Sequence, residues 1–142
     1  MRDLKGTIID GVSISLARGG FFNNDGVAAW KAASLIDLPN TVTGDLVGGE
    51  GVTITLRGLD LNLAYNISAV TVANVAWDRI DTVTVVGSGA ALTSSLPRKQ
   101  SAQEGVSHRF LNLRPNAEGV IQLTVTDVSG NRNPVINLVL VE

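Results

Sequence analysis

Apolar and polar residues alternate with a period of two through most of this chain. Val12, Ile14 and Leu16 are separated by Ser13 and Ser15, and Val52, Ile54 and Leu56 by Thr53 and Thr55, with Arg57 next. Val83 and Val85 alternate with Thr82 and Thr84, and Ile121, Leu123 and Val125 with Gln122 and Thr124. Successive side chains of a strand point to opposite faces, so each run predicts a strand with one buried face. The β-branched residues that fill these runs suit a pleated surface. Beyond Leu56 the apolar positions change parity and continue as Leu59, Leu61 and Leu63. Gly58 sits at the change, which predicts a bulge or bend that re-aims the strand.

Turn formers divide these runs: Val47 to Gly51, Gly87-Ser88-Gly89, Arg114-Pro115-Asn116 and Asp127 to Asn131. Short strands so spaced predict a sandwich or barrel. Asp25 is placed to cap a short helix over residues 26–36, with Val27, Trp30 and Leu35 along one side; an irregular arm or another strand fits the same residues. The chain divides near residue 44. Residues 1–44 form an N-terminal strand and arm with a glycine-rich loop at Arg18 to Asn24, and residues 45–142 form the sandwich. In the last strand Ile136, Leu138 and Leu140 share one face and Val135, Val139 and Val141 the other. An outer face this apolar predicts cover on both sides, from residues 1–44 or from a second subunit.

With 142 residues, a chain buries roughly 68–70% of its unfolded surface and needs no staple. None is on offer from cysteine, which is absent. Charged residues make up only 17% and the net charge is −2. Lys and Arg are scattered, so phosphate-tracking nucleic-acid binding is not expected. The start is unlike a secretory signal, and no apolar run is long enough to span a membrane. Read as a full native chain, the sequence is expected in the cytoplasm. So little charge leaves two readings, a monomer with a Thr/Asn/Ser surface or a protein that covers part of its surface with neighbours.

Candidate chemistry is sparse. His108 is the only histidine, and with no cysteine a zinc or iron site is not expected; beside Arg109 it is read as a surface residue. No serine lies in a Gly-x-Ser-x-Gly elbow. The carboxylates Asp60, Asp78, Asp81, Glu118 and Asp127 are read as turn and strand-flanking groups rather than a hydrolytic pair. Asp127, Ser129 and Asn131 offer oxygens through a turn but lack the acidic ligands of a calcium loop. The expectation is no catalytic residue, no metal and no cofactor. Trp77 is placed in the core, and Phe110, Leu111 and Leu113 are expected to add bulk to it. Phe21, Phe22 and Trp30 lie on the arm, outside the core pattern, and are the candidate contacts for a partner's pocket.

Three stretches resemble bacterial and phage immunoglobulin-like modules: Ile80-Asp81-Thr82-Val83-Thr84-Val85-Val86-Gly87; Phe110-Leu111-Asn112-Leu113 with Pro115 and Glu118-Gly119; and Leu123-Thr124-Val125-Thr126-Asp127-Val128-Ser129-Gly130-Asn131. The likeness spans about residues 50–142. The segment between Leu63 and Ile80 departs from it. The resemblance implies an all-β, immunoglobulin-like antiparallel sandwich with an N-terminal strand and arm extension. It implies a non-catalytic structural part of a phage virion (capsid decoration, collar or tail) that contacts other virion proteins or copies of itself as an oligomer, with no nucleic acid or membrane partner. The alternative is a spacer or binding module of a bacterial surface adhesin or a carbohydrate-active enzyme.

Overall fold

A computed structural model describes residues 11–17, 20–23, 45–48, 51–71, 79–98, 106–127, 135–136 and 138–142. All regular structure among them is strand, and all pairing is antiparallel. The elements are β1 (Ser13–Ala17), β2 (Gly20–Asn23), β3 (Asp45–Gly48), β4 (Val52–Arg57), β5 (Tyr65–Thr71), β6 (Arg79–Val86), β7 (Leu92–Arg98), β8 (Val106–Leu113), β9 (Ile121–Asp127), β10 (Val135–Ile136) and β11 (Leu138–Val141). One layer is a five-stranded sheet in the order β1-β4-β9-β6-β7. The other consists of two ladders, β10-β3-β2 and β11-β5-β8, joined because β10 and β11 belong to one terminal run. The chain is an all-β sandwich of two antiparallel layers. No described helix is long and apolar enough to cross a membrane.

The core follows the period of two. Val52, Ile54 and Leu56 from β4, Val83 and Val85 from β6, and Ile121, Leu123 and Val125 from β9 are all buried. They meet Ile67 and Ala69 from β5, Phe110 and Leu113 from β8, and Ile136 from β10. β1 pairs with β4 of the same chain, Leu16 against Ile54 and Ser15 against Thr55. The N-terminal strand thus completes the sheet in cis.

Four sequence expectations change. The run Leu59, Leu61, Leu63 is not a continuing strand: β4 ends at Arg57, and Leu61 and Leu63 are exposed while Leu59 is buried. Gly58, at φ 76°, starts a loop that passes so close to Gly11 that a Cβ would strike its carbonyl. The segment after Leu63 holds β5, which the alternation did not reveal. In the terminal run Val139 and Val141 pack against the core that holds Ile136, and Leu140 does not. The pairing partner changes there from β3 to β5, which breaks the simple parity. Leu111, expected to add bulk to the core, is exposed.

Val70 pairs with Leu138 and points away from Ile67 and Ala69, outside the core cluster, yet it is buried within the single chain. The 26–36 helix, Trp30, Trp77, Asp78 and the turn after Asp127 lie outside the described residues.

Candidate functional site

The outer face of the five-stranded sheet is built by the polar half of the same alternation. Residues paired across antiparallel strands project to the same face. The pairing aligns Ala17, Thr53, Thr124, Thr84 and Thr93 in one row across all five strands. Beside it run Ser15, Thr55, Gln122 and Val86, and on the other side Thr126, Thr82 and Ser95. Adjacent strands lie about 4.8 Å apart, so the four consecutive threonines span about 14 Å.

These hydroxyls hold one another. Thr84 and Thr93 share a hydrogen bond of 3.0 Å, and Thr82 and Ser95 one of 2.9 Å. Gln122 Nε2 donates to Thr55 Oγ1 at 3.4 Å. A hydroxyl has one donor and two acceptor positions, so each pair keeps capacity for an outside partner. Thr55 and Thr82 are buried by their neighbours; Thr93, Ser95 and Gln122 are exposed. Arg57 is the only charged residue among the described positions of this face, and the exposed Ile80 and Val86 are its larger apolar members. The face can offer neutral hydrogen bonds and methyl groups over a broad area. Its described positions hold no general acid, base or nucleophilic pair.

A second polar surface closes one end of the sandwich. Asp60 accepts from the Asn62 backbone at 2.8 Å and from its side chain at 3.1 Å, and the Asp60 N–H donates to the Tyr65 hydroxyl at 2.8 Å. Asn66 Oδ1 accepts from the Asn112 N–H at 3.1 Å, where β5 and β8 shift register and Asn112 takes a φ of 56°. Asparagine tolerates that left-handed geometry, and the bulge re-aims the strand end. These contacts employ the polar groups in fixing the loop, as the sequence reading of Asp60 expected.

His108 is not a surface residue. It is fully enclosed, with Nδ1 hydrogen-bonded to Ser94 Oγ at 3.1 Å, a link from β8 to β7 that joins the edges of the two layers. Its Nε2 is buried with no hydrogen-bond partner. Burial lowers the imidazole from its usual 6.5 to about 4, although a hydrogen bond with Ser94 acts in the opposite direction. A second link between the layers is the Thr71 hydroxyl donating to Asp81 Oδ2 at 3.0 Å, with both residues fully buried. Asp81 therefore faces the core in the middle of a strand and does not flank one. The only imidazole is sealed away from solvent and cannot reach a surface-bound substrate. No group of three His, Cys, Asp or Glu among the described residues is placed to hold a metal ion.

Phe21 and Phe22 lie in β2, paired with Val47 and Leu46 in the second layer; Trp30 lies outside the described residues. In the sequence the Thr-x-Thr alternation of β4 and β6 is a strand signal. Only the pairing register shows that its threonines line up.

No protein-family model and no curated protein matches this sequence. Solved structures do. The carbohydrate-binding module TmCBM61, in complex with β-1,4-galactotriose, is similar with a TM-score of 0.54 at 12% identity, over 94% of this chain and 88% of that one. An exo-β-1,3-galactanase from Phanerochaete chrysosporium, solved with galactose, gives a TM-score of 0.45 at 18% identity over 89% of this chain but 30% of the enzyme. The enzymatically active domain of tailspike protein 4 from bacteriophage CBA120 gives 0.40 at 8% identity, over 93% of this chain and 19% of that one. The TmCBM61 likeness is one of fold alone, and the two looser matches add nothing to it. Of the expected immunoglobulin-like module, these comparisons support the coarser part, a β-sandwich.

Proposed function

We propose that this chain is a non-catalytic module that binds carbohydrate. The observation that carries this reading is the near-complete mutual overlap with TmCBM61, a module solved in complex with a galactose trisaccharide. The burial of His108 supports the non-catalytic part, because it removes the only imidazole from any surface reaction. The test is affinity electrophoresis and calorimetry of the full chain against neutral polysaccharides, beginning with β-1,4-galactan. Retardation and a saturable heat are expected. No interaction with any polysaccharide in the set overturns the proposal.

The structural role in a phage virion, through contacts with other virion proteins or with its own copies, is the second reading. Its support is the small charge of the chain, with 17% charged residues and a net charge of −2. It predicts co-purification with particles in fixed stoichiometry and no response to free glycan.

A further inference from the structure

We infer that the hydroxyl-bearing outer face of the five-stranded sheet is the ligand surface, and that its ligand is an extended, uncharged polysaccharide chain laid across the strands; this rests on the carbohydrate-binding reading. Two observations point to a covered surface rather than an ordinary wet one. The face carries one charge, Arg57, among its described positions, whereas charged side chains are ordinarily among the most exposed on a solvated surface. Its side chains are also fixed in advance: the Thr84–Thr93 and Thr82–Ser95 hydrogen bonds hold hydroxyls of neighbouring strands in set directions, so little side-chain freedom is lost on binding.

The chemistry selects the occupant. Protein interfaces are anchored by buried aromatic, Met and Arg residues, and the described positions of this face hold none of these except Arg57 at its margin. An acidic polymer would find no row of cations. A threonine presents a methyl group beside a hydroxyl, and a sugar ring presents C–H edges beside hydroxyls. A row of threonines at strand spacing repeats that pairing along a line, as a sugar chain repeats it along its length. The row through Thr53, Thr124, Thr84 and Thr93 is the longest such line, unbroken over four strands.

The experiment compares the full chain with Thr84→Val/Thr124→Val, which removes two hydroxyls and keeps the shape, and with Leu61→Ala/Leu63→Ala at the loop end. Affinity for β-1,4-galactan and for a panel of neutral glucans and xylans is measured by calorimetry, with polygalacturonate as an acidic control and sedimentation velocity run in parallel. The Thr84/Thr124 variant is expected to bind neutral chains at least tenfold more weakly and to keep the wild-type thermal transition; the loop-end variant is expected to bind as wild type. Wild-type affinity in the Thr84/Thr124 variant overturns this inference and leaves the carbohydrate-binding reading standing. Preference for the acidic polymer, or a change in sedimentation in place of a change in glycan affinity, also overturns it. A wild-type chain that binds no polysaccharide overturns both.

Discussion

The two faces of the five-stranded sheet are made from nearly the same shapes. Inward lie Val83, Val85 and Val125; outward, one residue along on the same strands, lie Thr82, Thr84 and Thr124. Valine and threonine differ by one methyl exchanged for a hydroxyl. Both are β-branched and both favour the strand. The backbone therefore receives the same instruction from either face, and what separates them is the solvation of that one group. On the inner face the methyls of β4, β6 and β9 meet Ile67, Phe110 and Leu113 of the other layer. On the outer face the hydroxyls bond across strands and remain able to bond outward. This sheet folds by one half of its alternation and turns the other half outward.

The largest way to break the comparison is to empty the inner face. Leu123→Ala, at a fully buried site, is expected to lower unfolding free energy by about 2–5 kcal/mol, read as a shifted midpoint in urea with an unchanged slope. Almost as large is the cost of charging the buried imidazole. The folded His108 titrates at about 4 against 6.5, so between those values the unfolded chain binds the proton and the folded chain does not. The contribution of neutral His108 is whole above about pH 6.5 and is lost as pH falls toward 4, by about 3 kcal/mol in all. Unfolding followed from pH 7.5 to 4 should show this slope, and His108→Leu should flatten it.

The sharper tests exchange the two isosteres. Val83→Thr puts a hydroxyl into the apolar centre and is expected to cost about 1–3 kcal/mol. Thr84→Val, one residue away, is expected to stay within about 0.5 kcal/mol of wild type. Equal costs at the two positions would remove the distinction between the faces.

Much of the sandwich was legible because β4, β6 and β9 alternate cleanly. β5 was not, because its faces are mixed: Thr71 points inward to Asp81 while Val70 is apolar and faces outward. β7 was hidden for a related reason, since its inward Ser94 serves the buried His108 and leaves no apolar period. Leu61 and Leu63 show the opposite error, an alternation in sequence that the loop spends on exposed positions. His108 could not be placed in the core from sequence, since burial of an imidazole depends on a partner from a different strand. The threonine row was visible residue by residue but not as a surface. Its alignment depends on which strands are neighbours and in what register, and neither is written in local periodicity.

The most direct measurement is a methyl spectrum of threonine-labelled chain titrated with a neutral β-linked oligosaccharide. The signals of Thr53, Thr84, Thr93 and Thr124 are expected to shift together with one saturation curve, while the enclosed Thr71 stays still. Shifts confined to other parts of the molecule, with those four signals unmoved at saturation, would contradict it.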